Sequence, residues 1–377
     1  MGENGMERRA RQSNIELLRI FAMLIIIGHH FALYGGLGDC TEVYFVNRVW
    51  IQFLMISGKL GVSLFVLISG FFLIKMPKLR MEKLIKLWLQ VFFWSVLAYV
   101  VYCVIVRYAG NADVFRFPEL VKNCFPIVNQ HWWFASTYFV LYLFSPFLNR
   151  YLLSLDKTDF QRLLILMSVC WCLIPTLLGR TFECNHLLWF FYLYSLAAYI
   201  RLYGVEEAVP CSGVGCAIGA ILLAFAVLFC IDRVKIIYLN MTNYRTGYDY
   251  LMGESGEQRL MLLIMAVSLL LFVGFLKISI RTNRIINTIS SATFGIYLIH
   301  DNQYIRSILW YLINRGKEYS MRPVFIPYSV GVMAAVFIAC MLIELMRIQI
   351  LEKHYLKAVK RIGRLVENRL DSSRLME

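Results

Sequence analysis

Apolar residues along this chain fall into runs of roughly 17–25 positions, which short polar stretches separate. A helix of about this length crosses the hydrocarbon core of a bilayer. Since that core contains no water, every backbone amide must be bonded within its own segment, so the runs are predicted to be helices. The pattern predicts an all-α, polytopic integral membrane protein with about ten transmembrane helices. The predicted spans are Asn14–Tyr34, Lys59–Ile74, Lys86–Val106, Trp132–Asn149, Arg162–Leu178, His186–Tyr203, Gly213–Ile231, Arg259–Leu276, Ala292–Asn314 and Val324–Arg347.

The composition favours a membrane protein over a soluble one. Hydrophobic residues make up 59% of the chain and charged residues 16%, whereas soluble domains are about half apolar and about a quarter charged. The net charge of +14 is compatible with a nucleic-acid partner, but the basic residues lie in short patches between the apolar runs. We therefore expect the lipid bilayer, and no nucleic acid, as a partner.

The distribution of Lys and Arg predicts the orientation of the spans. Cytoplasmic segments of membrane proteins carry an excess of these residues. With the N-terminus inside, the cytoplasmic side collects the basic residues at 8–11, the loops 75–86, 150–162 and 277–284, and the tail from Arg347. An even number of crossings then places both termini in the cytoplasm.

One membrane domain is predicted between two cytoplasmic ends. Residues 1–13 form the N-terminal end, residues 14–347 the transmembrane domain and residues 348–377 a basic tail. Within the tail, apolar residues recur at helical spacing among basic ones. Two interpretations of the tail stay open: an amphipathic helix on the anionic inner leaflet and a solvated basic segment.

Ionisable side chains inside the first span indicate function, because each costs about 2.5–3.5 kcal/mol on insertion scales. Arg19 and His30 are eleven residues apart and so project from one face of a helix, roughly 16 Å apart along its axis. Glu16 is placed to pair with Arg19, and His29 points about 100° away from His30. The alternative is structural: Arg19 reaches the inner interface, and the histidines hydrogen-bond to neighbouring helices.

The ninth span carries a dense group of polar residues in its middle. A helix with this group cannot face lipid, so it is predicted to line a polar cavity. Tyr297 and His300 share a face at a spacing of i, i+3. Asp301 is placed to orient a neighbouring imidazole other than that of His300. The polar group consists of His300, Asp301, Asn302, Gln303 and Arg306.

Two further segments carry candidate binding residues. Ser69, in the second span, has a hydroxyl that can bond across helices and precedes a glycine that allows close packing. Trp132 and Trp133, at the outer boundary of the fourth span, offer a stacking surface for a sugar ring. Packing explains Ser69 as well, and the two tryptophans are also typical of the aromatic belt at a membrane interface.

Four blocks of the sequence, taken together, resemble the bacterial acyltransferase family 3, whose members O-acylate cell-surface and secreted glycans. The first block is Arg19, preceded by the acidic Glu16 and followed, after ten intervening residues, by His30. The others are the Gly-Val-Ser-Leu-Phe segment at 61–65 with Ser-Gly-Phe at 69–71, the His-Trp-Trp-Phe segment at 131–134 with Pro146, and Phe-Gly-Ile-Tyr-Leu-Ile-His at 294–300. Their order and the number of predicted helices are similar to the family's. The likeness extends from Asn14 to about Arg347.

The resemblance implies an enzyme of the bacterial plasma membrane that transfers an acetyl or other short acyl group to a hydroxyl of a surface polysaccharide or a lipid-linked sugar. Its donor is expected to be an acyl-CoA, with acetyl-CoA as the first choice, and no permanently bound cofactor or metal is expected. His30 is expected to act as general base or to carry the acyl group briefly, and Arg19 to orient the donor. Tyr297 and His300 complete the expected catalytic set. The expected substrate-binding residues are Glu16, His29, Ser69, Trp132, Trp133 and Asp301.

Two other functions are compatible with ionisable residues inside spans. A transporter of a small polar solute, such as an amino acid, would place His, Arg and Asp there too. It would also be expected to show repeat symmetry and paired broken helices, and the sequence gives no sign of either. A non-enzymatic sensor or assembly factor would not need reactive histidines. Both alternatives predict that no donor is turned over.

Overall fold

The computed structural model describes residues 12–37, 45–76, 78–110, 114–238 and 254–373. Within these ranges all regular secondary structure is helical, which confirms the predicted all-α class. Most of the predicted N-terminal end, residues 1–11, lies outside the described residues. Residues 374–377 of the tail do so as well.

The helices are numbered here in chain order. They are α1 (Ser13–Tyr34), α2 (Phe45–Leu73), α3 (Met81–Tyr108), α4 (Phe117–Cys124), α5 (Trp133–Ser154), α6 (Lys157–Ser168), α7 (Ile174–Leu178), α8 (His186–Tyr203), α9 (Val205–Ala208), α10 (Gly213–Tyr238), α11 (Glu254–Arg259), α12 (Met261–Lys277), α13 (Arg284–Ser291), α14 (Thr293–His300), α15 (Gln303–Ile313), α16 (Gly316–Tyr319), α17 (Phe325–Arg347) and α18 (Lys353–Ser373). The π-helical turns Val169–Leu173 and Ile348–Glu352 join α6 to α7 and α17 to α18.

Several of these helices have the length and composition of membrane spans. Among the described residues, six stretches qualify: Ser13–Tyr34, Val46–Leu73, Met81–Tyr108, Lys157–Leu178, Gly213–Arg233 and Phe325–Arg369. The helix α12 is also apolar but has only 17 residues. The protein is therefore an all-helical membrane protein, while the number of ten crossings and the cytoplasmic position of the termini stay predictions.

The second span is longer than predicted, and the predicted start at Lys59 is wrong. The helix α2 begins at Phe45 and has 29 residues, so Lys59 lies in its middle. The charged and amide side chains of α2 that precede this lysine are paired inside the bundle. Arg48 Nη2 lies 2.6 Å from Asp232 Oδ2, and Gln52 donates to the other oxygen of Asp232 at 3.1 Å. Paired polar groups of this kind are tolerated within a span.

The ninth span is not one helix, so the prediction of a continuous helix over Ala292–Asn314 is wrong. The chain breaks at Asp301 and Asn302, between α14 and α15. The side chain of Asn302 accepts a hydrogen bond of 2.9 Å from the backbone amide of Tyr304 and thereby caps the start of α15. A side-chain cap of this type satisfies an amide that has no partner within its own helix.

The first helix is enclosed by other helices, with which it packs over most of its length. Its neighbours are α2, α12, α13, α14, α15 and α17. The contact with α2 requires a glycine at position 61, because a Cβ there would lie 2.7 Å from the carbonyl oxygen of Ala22. This packing holds His29 and His30, near the C-terminal end of α1, between helices.

A buried carboxylate on α17 connects this helix to α3 and to α14. Glu344 on α17 accepts hydrogen bonds from Gln90 and Trp94 of α3, at 2.8 and 2.9 Å, and from the guanidinium of Arg347. A Cβ at Gly295 would collide with the carboxyl group of Glu344. The carboxylate therefore packs directly against the backbone of α14, the short helix that carries Tyr297 and His300.

We expect Gly295→Ala to destabilise the protein by about 1–3 kcal/mol, because the added methyl group forces α14 away from Glu344. The matched control is Gly331→Ala on α17, where a Cβ meets nothing within 4 Å. Thermal unfolding of the purified protein in detergent measures both changes. Equal unfolding midpoints for the two variants would contradict the tight contact between α14 and α17.

The basic tail is a helix that packs against α3. The backbone amide of Met81, at the start of α3, donates to Glu367 Oε1 at 2.7 Å. A Cβ at Gly363 would lie 2.8 Å from the backbone nitrogen of Glu82, so the two helices are in close contact. The described part of the tail, residues 353–373, is helical. Its position on the inner leaflet stays a prediction.

Candidate active site

A cavity of about 250 Å³ lies within the helical bundle beside the end of α1. Side chains from α1, α2, α5, α8, α11 and α14 form its wall. Four of the residues predicted from the sequence line it: His29, His30, Trp133 and Tyr297. The first and ninth predicted spans therefore meet at one cavity, although they lie at opposite ends of the chain.

A hydrogen bond between two buried histidines connects α1 to α14. His30 Nδ1 lies 2.9 Å from His300 Nε2, and His300 Nδ1 lies 2.6 Å from the carbonyl oxygen of Ile296. A carbonyl oxygen only accepts, so His300 carries its proton on Nδ1, and its Nε2 is an acceptor when the ring is neutral. His30 then donates from Nδ1 and keeps a free lone pair on Nε2. The pair of contacts thus fixes the tautomer in which His30 Nε2 is the basic atom.

A carboxylate and its partners lie on the Nε2 side of His30. Asp301 Oδ1 is 3.8 Å from His30 Nε2, and Tyr34 donates to the same oxygen at 3.0 Å. Arg306 donates to the Tyr34 hydroxyl at 3.0 Å and lies 3.7 Å from Asp301. At 3.8 Å the carboxylate acts on His30 through its charge, which stabilises an imidazolium that forms when Nε2 takes a proton. The predicted role of Asp301 beside an imidazole other than His300 fits this position.

His29 faces a different wall of the same cavity. Its Nδ1 lies 2.7 Å from the carbonyl oxygen of Met55 and donates to it. The ring packs on Gly58, where a Cβ would lie 2.5 Å from it. His29 is therefore held by α2, whereas His30 is held by α14.

An ion pair in the cavity wall was not predicted from the sequence. Lys59 Nζ lies 3.1 Å from Glu257 Oε1 and 5.5 Å from the centre of the Trp189 ring. His186 and Trp133 stack beside it, with ring centres 4.4 Å apart, and Lys59, Glu257, His186 and Trp133 all line the cavity. The sequence does show a lysine, Lys59, next to an apolar segment. The apolar pattern places this lysine at the edge of a predicted span, not inside a cavity wall.

Arg19, the residue predicted to orient the donor, and Glu16, a predicted substrate-binding residue, lie on α1 on the N-terminal side of the cavity-lining residues. Arg19 Nη1 is 3.8 Å from Glu16 Oε2, which confirms the predicted pairing. Glu16 is buried and also accepts a hydrogen bond from Ser290 at the end of α13. Neither residue lines the cavity. The first residue of α1 that does so is Met23. Arg19 is one helical turn from Met23, about 6 Å along the axis.

Two predicted substrate-binding residues are placed in packing positions. Ser69 donates to the carbonyl oxygen of Phe65 in its own helix at 2.8 Å. A Cβ at the next residue, Gly70, would lie 2.9 Å from the Cα of Tyr194, so this segment mediates contact between α2 and α8. Trp132 is buried next to the cavity-lining Trp133 but does not line the cavity itself. Roles for Ser69 and Trp132 in substrate binding stay predictions.

Comparison with known proteins identifies the family. The family model Acyl_transf_3, described as an acyltransferase domain, matches residues 12–345, nearly the whole chain. No curated protein and no solved structure matches the chain. The matched range contains both histidines of the hydrogen-bonded pair and all the residues that line the cavity. The match confirms the resemblance carried by the four sequence blocks, and this membrane protein belongs to the acyltransferase family 3.

Proposed function

We propose that the protein transfers an acetyl or other short acyl group from an acyl-CoA to a hydroxyl group of a surface polysaccharide or lipid-linked sugar. The observation that carries the proposal is the hydrogen bond from His30 to His300, which leaves Nε2 as the basic nitrogen of His30, a residue that lines the cavity. Family membership supports acyl transfer and does not favour the transporter alternative.

The chemistry begins with a hydroxyl group of the acceptor, hydrogen-bonded to His30 Nε2. As its oxygen attacks the carbonyl carbon of the thioester, Nε2 takes the hydroxyl proton and a carbon–oxygen bond forms. The tetrahedral intermediate then collapses and its carbon–sulfur bond breaks. The imidazolium of His30 returns the proton to the departing sulfur, so the products are an ester and free CoA thiol. The charge of Asp301 stabilises the imidazolium between these two steps.

The two substrates are proposed to approach the cavity from opposite ends. Arg19 lies one helical turn N-terminal to Met23. The charges of Arg19 and Arg80 both act on Lys83, so these three residues form a basic group. This basic group suits the phosphates of an acyl-CoA, with the thioester extending toward His30. The rim formed by Trp133 and His186 offers aromatic faces to a sugar ring.

Transfer of labelled acetyl from acetyl-CoA to glycan or water tests the proposal. Membranes that contain the protein are compared with membranes that lack it, in sealed vesicles of either orientation. We expect transfer only in membranes with the protein, and only when acetyl-CoA is offered at the cytoplasmic face. Absence of transfer, together with failure of the purified protein to bind labelled acetyl-CoA, would contradict the proposal.

A further inference from the structure

The hydroxyl group of Tyr297 is buried, and Tyr297 lines the cavity. Tyr297 is 5% exposed, and among the described residues its hydroxyl forms no hydrogen bond. Its ring is held by edge contacts with Phe134 and His300, and the residue lines the cavity. An unpaired buried hydroxyl costs free energy comparable to a lost hydrogen bond. Such a group is expected where a ligand atom completes the hydrogen bonding.

A second set of unpaired donors lies beside this hydroxyl. The helix α5 has 22 residues and begins at Trp133. The side chain of its N-cap residue, Trp132, forms no capping hydrogen bond. The first amides of a helix have no acceptor within the helix, and its N-terminus carries a partial positive charge. The amide of Phe134 lies close to the Tyr297 hydroxyl, although the two do not have hydrogen-bond geometry. Both Trp133 and Phe134 line the cavity.

We propose that the Tyr297 hydroxyl and the N-terminal amide of Phe134 form an oxyanion-binding site for the carbonyl oxygen of the transferred acyl group. The inference rests on the proposed acyl transfer and assigns a further role within the same cavity. The carbonyl oxygen becomes negative when the acceptor oxygen bonds to the carbonyl carbon, and it loses that charge when the carbon–sulfur bond breaks. Donors fixed beforehand at this position stabilise the intermediate more than the substrate.

The position of the two donors relative to His30 suits this role. His30, Tyr297 and Phe134 line one cavity of about 250 Å³, which has room for an acyl group and the atoms next to it. His300 joins the two functions, because it accepts from His30 and lies one helical turn from Tyr297 on α14. A base and an oxyanion site within one small cavity are what acyl transfer requires.

The variant Tyr297→Phe tests the site, because it removes one oxygen atom and leaves the ring. We expect kcat for acetyl transfer to fall by about 10²–10³-fold, as for the loss of one oxyanion donor. The KM for acetyl-CoA and the midpoint of thermal unfolding should be unchanged, since the hydroxyl forms no hydrogen bond with any residue that the structure describes.

Tyr194→Phe is the matched control. The Tyr194 hydroxyl donates to Asn149 Oδ1 at 2.6 Å, and Tyr194 does not line the cavity. This variant should lower the unfolding midpoint and keep the wild-type kcat, which is the reverse of the result expected for Tyr297→Phe. A wild-type kcat in Tyr297→Phe would overturn the oxyanion site while leaving the proposed function intact. Absence of transfer by the wild type would overturn the proposed function and the oxyanion site together.

A spectroscopic measurement reports on the carbonyl group directly. Acetyl-CoA with a ¹³C-labelled carbonyl is bound to the His30→Ala protein, and the carbonyl stretch is followed by infrared difference spectroscopy. Hydrogen bonds to the oxygen should move the stretch to lower wavenumber than in water. The double variant His30→Ala/Tyr297→Phe should show a smaller displacement. Equal stretches in the two proteins would show that Tyr297 does not contact the carbonyl oxygen and would overturn the site.

Discussion

In the His30→Ala variant, kcat for acyl transfer is expected to fall by about 10²–10⁴-fold, the range attributed to a general base. The substitution removes Nε2 of His30, the nitrogen that the contact with His300 leaves as the basic atom of this ring. His29 lies on a different wall of the cavity, where the carbonyl oxygen of Met55 holds its ring against α2. Initial rates of labelled acetyl transfer, in membranes with equal amounts of each protein, measure the effect.

The control for this variant is His354→Ala, on the exposed side of α18, which should transfer acetyl at the wild-type rate. Added imidazole provides a second test, because the deleted ring leaves a space beside His300 that imidazole can occupy. Partial recovery of the rate with imidazole would support His30 as a base. A His30→Ala protein with more than about a tenth of wild-type activity would rule out that role, given the expected range.

The arrangement of α1 was largely predictable from the sequence. The spacing between Arg19 and His30 placed both on one face, and the pairing of Arg19 with Glu16 followed from i, i+3 geometry. Both properties depend on a single helix, so periodicity is enough to derive them. The same reasoning placed Tyr297 and His300 on one face, and the structure has them on one short helix.

Contacts between distant helices could not be derived in this way. His30 and His300 are 270 residues apart, and a helical pattern contains no information on which helices become neighbours. The partner of Lys59 is Glu257, on another helix, so the sequence around Lys59 shows only an isolated charge, and the predicted span starts there. The break at Asn302 had a recognisable capping residue, but the polar group around it was equally compatible with a helix that lines a cavity.

The site depends on α14, a helix of eight residues that is too short to be stable alone. It is held on one side by the hydrogen bond between His300 and His30, and on the other by Glu344 against Gly295. The carboxylate of Glu344 in turn is balanced by Arg347, whose Nε and Nη2 donate to its two oxygens at 2.9 and 2.7 Å. The side chain of Arg347 is 3% exposed and that of Glu344 is fully buried.

Arg347→Met is therefore expected to destabilise the protein by about 3–5 kcal/mol, because it leaves the carboxylate of Glu344 buried without its counter-charge. The double variant Glu344→Gln/Arg347→Met removes both charges. It should recover much of the loss, since Trp94 can still donate to the amide oxygen at position 344, and the amide of Gln90, turned over, can accept from the NH2 group there. Unfolding of both proteins in detergent, monitored by tryptophan fluorescence, gives the free energies of unfolding.

Acetyl transfer by the same variants links this network to the active site. Displacement of Glu344 toward α14 would move Tyr297 and His300 relative to His30, so Arg347→Met should lose activity even below its unfolding temperature. The double variant should regain activity as it regains stability. If Glu344→Gln and Arg347→Met, measured singly and together, destabilised the protein additively, Glu344 and Arg347 would not be coupled, and Arg347 would have no part in holding Glu344 against α14.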